Sequence, residues 1–550
     1  MSRKWKIWSA VGLVSVSLFA FNTTPGDRTF EIVKNLDIFA TLYKEVNSYY
    51  VDEINPSQLM RTGIESMLET LDPYTTYIPE DDIEDYRTMT TGEYGGIGAV
   101  VNKKNGISTV VMPYEGYPAD KAGLKAGDQI LKINGVVLEG KSSDEISKLL
   151  KGQSNSEIKL TIKRPNKEDL FDVLLARERI TIKNVPYYGM VTEDIGYVKL
   201  TDFTTEAGAE VRNAVNELKE DGATKVILDL RGNPGGLLEE AVNVSNVFVG
   251  KGREVVTTRG KLNNWTKTYN TLDSPADNEI PLAVLVSNGS ASASEIVSGV
   301  MQDYDRGVLV GQRTYGKGLV QQTRPLAYNS QLKVTTAKYY IPSGRCIQAI
   351  DYSQRNPDGS VGKVADSLKS EFKTQSGRVV YDGGGVLPDI EIEEFDYAPI
   401  TFALMSDDLI FDYATKYYYS HPEIEDAQRF SLTDIEYDEF KKWLADKDVT
   451  YTTQVEHDID GLIKSAKKEK YYEDIAEQIE ALRKETLHNK DMDLETFKPE
   501  IKMLLEREIA GRYYYQAGMI ESMFSEDKEV IAAIEVLNDS KQYQNILKGN

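Results

Sequence analysis

The stretch IPLAVLVSNGSASASEIVSGVMQDY, residues 280–304, decides the fold of the segment around it. An uninterrupted apolar run leads through a turn of glycine and serines into apolar residues at helical spacing, which predicts a buried strand, a turn and a helix. A serine at this junction, Ser292, would lie where unpaired helix amides favour developing negative charge. Helix capping is the competing interpretation, because serine is a preferred N-cap residue.

The patterns of strand-like and helical segments divide the rest of the chain into four regions. Residues 183–395 alternate strand-like runs such as KVILDL with helical patterns such as LEEAVNVSNVFV, which is typical of an α/β core that carries the chemistry. Residues 89–182 hold short strand-like runs and glycine turns, and predict a compact β-rich domain. Residues 22–88 read as a helical segment. Residues 396–550 read as an all-α extension of unknown role, with charged stripes that we interpret as solvated faces.

The composition excludes several classes of protein. A chain of 550 residues, 41% of them hydrophobic, is too long for one core and predicts three or four domains. Its net charge of -23 repels phosphate backbones, so nucleic acid is not an expected partner. With Cys346 as its one cysteine, the chain forms no intrachain disulfide. The three histidines, His421, His457 and His488, lack the spacing of a metal site, and we expect neither metal nor cofactor.

The first 21 residues resemble an export signal. Three cations precede an apolar run from Ile7 to Phe21, which is short for a membrane span but suits a signal peptide. Leu18 is not the small residue that a cleavage site prefers, so the segment is interpreted as a signal peptide or an uncleaved anchor. The expected location is therefore outside the cytoplasm: exported and periplasmic, either soluble or anchored to the inner membrane.

A second motif supplies a candidate base. The stretch YGKGLVQ, residues 315–321, places Lys317 between two glycines just after the strand-like run GVLVG. Glycine on both sides allows close approach of the backbone. Because the α/β segment contains no histidine, a base for Ser292 has to be another residue, and serine with lysine is a known variant of the catalytic triad. A solvated surface lysine is the alternative interpretation.

Together, SASASE and GKG with a glutamine four residues after the lysine resemble the carboxyl-terminal processing peptidases, or tail-specific proteases. Four further stretches agree, so that the resemblance covers about residues 30–395: LDPYTTYIPE at 71–80, LDLRGNPGG at 228–236, TTAKYYIPSGRCIQ at 335–348 and GGGVLPDI at 383–390. The resemblance implies Ser292 as nucleophile, Lys317 as base and Gln321 as the residue that orients the lysine. It implies a multidomain α/β fold, in which a crotonase/ClpP-like serine protease core carries an inserted PDZ domain; the C-terminal all-α extension lies outside the resemblance and is predicted from its helical patterns alone.

Acyl transfer also needs donors for the oxyanion of the tetrahedral intermediate. The amide of Ala293, directly after the nucleophile, is one candidate. The glycine pair of RGNPGG offers the second donor through Gly235 or Gly236, and the competing interpretation of this motif is a plain turn.

The β-rich domain resembles a PDZ module in EYGGIGAVV, residues 93–101, and in PADKAGLKAGDQILKING, residues 118–135. In such a module a glycine loop holds the carboxylate of a peptide, and an adjoining strand edge pairs with the peptide backbone. The residues expected to bind the tail of the substrate are Gly95, Gly96, Ile97, Gly98, Ala99 and Val100. A helix with Ile146, Leu149 and Leu150 is expected to close an apolar groove.

The expected function is a serine-type endopeptidase that recognises the C-terminal tail of exported proteins and hydrolyses peptide bonds through a Ser-Lys-Gln acyl-enzyme mechanism. Its expected partners are proteins or peptides with a free C-terminus, and membrane anchoring and homo-oligomer formation stay open. An exported PDZ scaffold with a silent core is one alternative, against which Ser292, Lys317 and Gln321 argue. A crotonase-like acyl-CoA enzyme is another; the export signal and the PDZ-like module weigh against it.

Overall fold

A computed structural model describes residues 25–352, 361–486 and 490–549. The predicted signal peptide or anchor, residues 1–21, lies outside these ranges. Within them, no helix combines the length and the apolar character needed to cross a bilayer. The chain divides between Tyr77 and Ile78 into two units.

The first unit is helical. It contains α1, Pro25–Tyr49, and α2, Pro56–Glu69. The start of α2 follows from its sequence, because the Asn55 side chain accepts a hydrogen bond from the Gln58 amide and proline is favoured in the first turn. A short strand, β1, Thr76–Ile78, runs across the division.

The second unit begins with α3, Ile83–Thr91, which leads into a β-rich module. Its elements are β2 Glu93–Gly96, β3 Ala99–Lys104, β4 Ile107–Pro113, α4 Pro118–Lys121, β5 Gln129–Ile133, β6 Val136–Val137, α5 Ser143–Leu150, β7 Glu157–Lys163, β8 Phe171–Ala176 and β9 Glu178–Thr181. The main sheet has the order β3-β4-β5-β7-β8, while β6 pairs with β5 and β2 with β9. The strand β3 therefore lies at one edge of the main sheet.

The α/β core follows. Its elements are β10 Tyr187–Met190, β11 Ile195–Lys199, α6 Ala207–Glu220, β12 Lys225–Asp229, α7 Leu238–Phe248, β13 Glu254–Gly260, β14 Lys267–Asn270, β15 Leu282–Val286, α8 Ala293–Asp303, β16 Val308–Gly311, β17 Leu319–Pro325, β18 Gln331–Tyr340, β19 Glu371–Lys373, β20 Val379–Tyr381 and β21 Ile390–Glu391. The central sheet has the order β10-β11-β12-β15-β16-β21 and is parallel except for β10. A second sheet contains β13, β14, β17 and β18.

This topology brings the sequence motifs together. RGNPGG, SASAS and GKG follow β12, β15 and β16, which are neighbours in the parallel sheet. Because parallel strands end at the same edge, their loops meet there, and this crevice is where open α/β sheets bind ligands.

The C-terminal region is helical. It contains α9 Pro399–Ser406, α10 Leu409–Ser420, α11 Asp434–Leu444, α12 Gln454–Glu469, α13 Tyr472–Glu485, α14 Lys490–Thr496, α15 Lys498–Glu521, α16 Lys528–Asn538 and α17 Ser540–Lys548. Helices α9, α10, α11, α14 and α15 share a core of their own. This region also contacts the β-rich module, because Lys104 pairs with Asp408 at 2.5 Å and the Tyr515 hydroxyl donates to Asp120 at 2.8 Å.

The last two helices pack on the central sheet. Side chains of one face of β15, such as Val284 and Val286, pack with α6, α7 and α8, while Ala283 and Leu285 on the other face pack with α16 and α17. Both faces are buried, which is why the strand reads as a continuous apolar run rather than an alternating one. Part of the C-terminal region is thus a layer of the α/β core.

Candidate active site

Ser292 lies at the N-cap position of α8, where the sequence predicts it. Its backbone has φ 56° and ψ -112°, a conformation that non-glycine residues rarely adopt. Such strain persists where the surrounding structure imposes it, and it is typical of functional sites. The side chain is half-buried, so it is neither locked in the core nor fully in water.

Glu295 ties the serine loop to the lysine loop. Its carboxylate, fully buried, accepts hydrogen bonds on one oxygen from the amides of Ser292 at 2.9 Å and Lys317 at 2.8 Å. The other oxygen accepts from the Thr314 hydroxyl at 2.5 Å and the Gly316 amide at 2.7 Å. Burial raises the pKa of Glu295, and these hydrogen bonds oppose the rise. One side chain therefore fixes the distance between the two loops.

Tyr339 ties the same two loops a second time. Its buried hydroxyl lies within hydrogen-bond distance of the carbonyl oxygens of Ser292, at 3.1 Å, and of Lys317. Because a hydroxyl has one proton, it can donate fully to only one of the two at a time. Glu295 and Tyr339 together hold both loops by amides and carbonyls, and Ser292 and Glu295 also form a capping box at the start of α8, as the capping interpretation expects.

The glycines beside Lys317 are required by close approach. A Cβ at Gly316 would come within 2.4 Å of Ala349 Cβ, and a Cβ at Gly318 would come within 2.8 Å of the Gln348 amide nitrogen. Real side chains essentially never tolerate such contacts. The half-buried Lys317 is thus carried on a loop that the neighbouring segment confines.

The two serines that flank Ser292 are buried and bonded to the RGNPGG loop. The Ser290 hydroxyl donates to the Leu230 carbonyl at 2.8 Å, and the Ser294 hydroxyl donates to the Asn233 carbonyl at 2.9 Å. The three serines of SASAS therefore have different surroundings.

The RGNPGG loop lies directly against the serine turn. A Cβ at Gly235 would come within 2.8 Å of Ser292 Cβ and of the Ala293 nitrogen. The Gly235 amide donates to the Asn233 side chain at 2.8 Å, whereas the amides of Ala293 and Gly236 donate no hydrogen bond within the described part of the chain. Gly236 itself has φ +156° and forms a bridge with Phe203.

Gln321 lies in β17 at an irregularity of the pairing with β18. Its side-chain nitrogen donates to the Thr335 hydroxyl at 3.1 Å. The nitrogen has a second proton to donate, and the amide oxygen can accept a hydrogen bond.

Of the residues predicted to bind the tail, Ile97 and Ala99 line a groove between β3 and α5, whereas Gly95, Gly96, Gly98 and Val100 are not part of its lining. The edge strand β3 forms one wall, and Ile146 and Leu150 of α5 form the other, whereas Leu149, which was also expected there, packs against the core of the module. A further detail differs, because Gly95 and Gly96 belong to β2, which pairs with β9 as far as Gly96. Only Ile97 and Gly98 connect β2 to β3, and Gly98 has φ +70°.

The sequence did not predict that three residues, Glu295, Tyr339 and Asn233, hold the loops of this site together. Glu295 was interpreted as a partner for a cation or as a favourable residue in the first helical turn, yet it accepts two amides from another loop. Tyr339 lay in a stretch that carried the resemblance, but without a role. Asn233 binds both Gly235 and the serine turn. In the sequence, an acidic residue at the start of an otherwise apolar helical pattern, three positions after a serine, is the one signal that could have indicated this role of Glu295.

Three family descriptions match the chain: peptidase family S41 over residues 194–361, a PDZ domain over residues 109–164, and the C-terminal helical domain described as "Probable PDZ-protease" over residues 400–537. The chain is also 38% identical over 321 residues to the carboxy-terminal-processing protease of Bartonella bacilliformis, which covers 58% of this chain and 73% of that protein. The chain belongs to the family of carboxy-terminal-processing proteases.

Other carboxy-terminal-processing proteases are similar over comparable lengths. The "Probable CtpA-like serine protease" of Staphylococcus aureus strain MSSA476 is 37% identical over 379 residues, which cover 66% of this chain and 75% of that protein. The protein of the same name from strain MRSA252 is matched over 62% of its length. Among solved structures, a photosystem II D1 C-terminal processing protease is 26% identical and covers 64% of this chain and 92% of that chain, with a TM-score of 0.35.

Membership of the carboxy-terminal-processing proteases confirms two predictions. The family is the predicted one, and the fold combines a serine protease core of family S41 with a PDZ domain and a helical C-terminal region. The protein is therefore a serine-type peptidase. The domain boundaries and the roles of individual site residues stay predictions.

Proposed function

We propose that this peptidase binds the free C-terminus of a protein substrate in its PDZ groove and cleaves the chain with Ser292 and Lys317. The observation that carries the proposal is the shared carboxylate of Glu295, which accepts the amides of both residues on one oxygen. A nucleophile and a base that depend on one buried anchor act as a unit.

In the proposed reaction the Ser292 hydroxyl oxygen attacks the peptide carbonyl carbon while its proton passes to neutral Lys317. The tetrahedral intermediate collapses when the C–N bond breaks and the lysine returns the proton to the leaving nitrogen. An ester of Ser292 remains. Water attacks this ester, again with Lys317 as base, and releases the carboxylic acid and the free serine.

The choice of Ser292 follows from its neighbours. The hydroxyls of Ser290 and Ser294 are buried and engaged with backbone carbonyls of the RGNPGG loop. Ser292 alone of the three combines partial exposure with a strained backbone at a helix N-terminus.

The proposed oxyanion donors are the amides of Ala293 and Gly236. Gly235 is the less suitable member of the glycine pair, because its amide is donated to Asn233. Its proposed role is steric, since only a residue without a side chain fits against Ser292. Loss of one oxyanion donor lowers kcat by about 100- to 1,000-fold in other serine hydrolases.

Gln321 is proposed to hold Lys317 in place without adding a charge. Its nitrogen donates to Thr335, and its oxygen can accept a hydrogen bond from the lysine amine. A neutral partner suits a base that has to be deprotonated near pH 7, because a carboxylate would favour the charged form.

Tail recognition is proposed to assist catalysis through the junction between the PDZ domain and the core. The chain enters and leaves the domain at Gly92 and Ile182, which are joined by a hydrogen bond of 2.8 Å. A Cβ at Gly92 would come within 2.8 Å of the Thr204 hydroxyl, and the preceding residue, Phe203, forms the bridge with Gly236. Binding of the tail could therefore contribute free energy that positions the RGNPGG loop, and with it Gly236, for catalysis.

The deciding experiment compares Ser292→Ala, Ser290→Ala and Ser294→Ala on an internally quenched peptide with a free apolar C-terminus. We expect no hydrolysis by Ser292→Ala with unchanged thermal melting. The other two variants should keep a substantial part of the activity, because Ser290→Ala loses two buried hydrogen bonds and Ser294→Ala loses one, each worth about 1 kcal/mol, and neither loses a reacting group. Equal loss from all three variants, with normal melting, would show that the nucleophile is a different residue.

The exported location remains part of the proposal and depends on residues 1–21. A fusion of the N-terminal segment to a reporter that is active only outside the cytoplasm tests it. A silent reporter would contradict export.

A further inference from the structure

Two carboxylates of the C-terminal helical region contact an arginine of the RGNPGG loop. Nη1 of Arg231 lies 2.8 Å from an Asp527 oxygen and 3.3 Å from a Glu529 oxygen. All three side chains are less than one-fifth exposed, at 19%, 14% and 18%. Charge pairs that are largely removed from water are screened much less than surface pairs.

The opposite side of the same guanidinium is held by the core. Nε and Nη2 of Arg231 donate to Asp229, with the shortest distance 2.6 Å. Asp229 is fully buried and also accepts from the Tyr197 hydroxyl and pairs with Lys199. Because the guanidinium is planar and its donors point in fixed directions, acids on both sides fix its position and its orientation.

The loop that begins at Arg231 is bonded to the turn that carries the proposed nucleophile. The Asn233 carbonyl accepts hydrogen bonds from the Ala291 amide at 3.0 Å and from the Ser294 hydroxyl at 2.9 Å. The Gly232 amide donates to the Ser287 hydroxyl at 3.1 Å. Because Asn233 lies only two positions after Arg231, a displacement of Arg231 would also shift the turn that carries Ser292.

The C-terminal pair also changes the charge balance of this cluster. Without it, Asp229 faces two cations, Lys199 and Arg231. With Asp527 and Glu529 the cluster contains three acids and two cations, so its net charge changes from positive to negative. Both lie at the start of α16, which packs on the opposite face of the sheet from the helix of Ser292.

We propose that Asp527 and Glu529 are positioning residues for the RGNPGG loop: they hold Arg231, so that the loop reaches its working geometry only when α16 is docked on the sheet. The inference rests on the proposed function, because the loop matters to the rate only if it supplies an oxyanion donor beside Ser292. It gives the C-terminal helices a role in catalysis in addition to covering the sheet.

Asp527→Asn tests the charge of Asp527 independently of its role as the N-cap of α16. The Asp527 side chain is also the N-cap of α16 and accepts the amides of Glu529 and Val530. Asparagine caps a helix about as well as aspartate, so the substitution removes the ion pair and keeps the cap. The matched control is Asp539→Asn, since Asp539 caps α17 in the same way through the amides of Lys541 and Gln542.

The test measures kcat, KM and the melting temperature of the full chain on the quenched peptide. We expect Asp527→Asn combined with Glu529→Gln to lower kcat at least tenfold while KM stays within about twofold, because the loop acts in the transition state. The double variant should melt below Asp539→Asn, because the largely buried Arg231 loses two partners, so kcat is compared at a temperature at which both variants are fully folded. Asp527→Glu, which retains the charge, should recover most of kcat.

The inference is wrong if the double variant keeps the kcat of the wild type, or if kcat falls only as far as the folded fraction does. Should the double variant lack a cooperative melting transition, Glu529→Gln alone decides, because Glu529 does not cap α16. A wrong proposed function gives a different result, in which Ser292→Ala cleaves the peptide as fast as the wild type.

Discussion

Glu295→Gln is the sharpest test of how the two catalytic loops are held together. The substitution keeps the size of the side chain and removes the charge and one of two acceptor oxygens. Four donors meet the carboxylate in the native protein: the amides of Ser292, Lys317 and Gly316, and the hydroxyl of Thr314. The question is how many of them a glutamine can satisfy.

Two orientations of the glutamine are possible, and they differ in cost. If its NH2 group faces Ser292 and Lys317, two amides lose their acceptor. If its NH2 group faces Thr314 and Gly316, the Thr314 hydroxyl, which already accepts from the Val386 amide at 2.7 Å, can rotate its proton away and accept a second hydrogen bond, so that one amide, that of Gly316, loses its acceptor. The second orientation is therefore favoured. One buried, unsatisfied amide costs about 1–3 kcal/mol of stability.

The effect on the rate should exceed the effect on folding. Gly316 precedes Lys317, so the repulsion between the glutamine NH2 and the Gly316 amide displaces the proposed base. A displacement on the order of 1 Å can lower a rate by about 100-fold. We therefore expect a loss of about 100-fold in kcat and about 1–3 kcal/mol in the free energy of unfolding, measured by peptide hydrolysis and urea denaturation.

Glu240→Gln is the matched control. Glu240 is also buried in the core, and its carboxylate accepts from the Gly208 amide and from the Asn243 side chain. A glutamine there keeps the Gly208 contact, and the Asn243 amide can turn to accept. Wild-type kcat in Glu295→Gln, or an equal loss of kcat in both variants, would refute the anchoring role of Glu295.

Four further outcomes test the same site and its surroundings. Lys317→Arg should be as inactive as Lys317→Ala in the hydrolysis assay, because guanidinium stays protonated and cannot act as base; near-normal kcat would contradict proton abstraction. Amidation of the peptide C-terminus should lower kcat/KM at least tenfold, about 1.4 kcal/mol, and equal cleavage of both peptides would contradict tail recognition. Deletion of residues 540–549 exposes the sheet face under Tyr543 and Leu547 and should cost about 3–6 kcal/mol in urea denaturation, whereas an unchanged midpoint would contradict this packing. Because burial raises the pKa of Glu295, protonation of this carboxyl favours the folded state as the pH falls through the raised pKa, so the free energy of unfolding should fall less steeply on acidification in the wild type than in Glu295→Gln; an equal pH dependence of both proteins in urea denaturation would contradict this.

The local patterns predicted the elements of the core well. The run from Leu282 to Val286 is a strand and Ala293 to Asp303 a helix, because length, apolar content and the turn between them depend on neighbours in sequence. The same patterns placed Ser292 at the junction. The uniform burial of β15 also follows from its sequence, since a strand covered on both faces has no polar side.

The partners of these elements could not be predicted in the same way. The charged stripes of the C-terminal region indicated solvated faces, but nothing local to α16 shows that its apolar face meets Ala283 and Leu285. Glu295 was ambiguous for the same reason, because two of the amides that it accepts, those of Gly316 and Lys317, belong to a loop more than twenty residues away. Gly95 and Gly96 were assigned to a loop from their composition, whereas pairing with β9 makes them part of a strand.

The packing of α16 and α17 has a consequence for the order of assembly. The Leu282 amide donates to the Tyr543 hydroxyl, 261 positions later in the chain. When a chain is made from its N-terminus at about 5–20 residues per second, roughly 13–50 s separate these two residues. During that interval the new sheet has one apolar face exposed and Arg231 without Asp527 and Glu529. Until α16 and α17 have been made, the enzyme would therefore be prone to associate through this apolar face and, on the proposed role of Asp527 and Glu529, inactive.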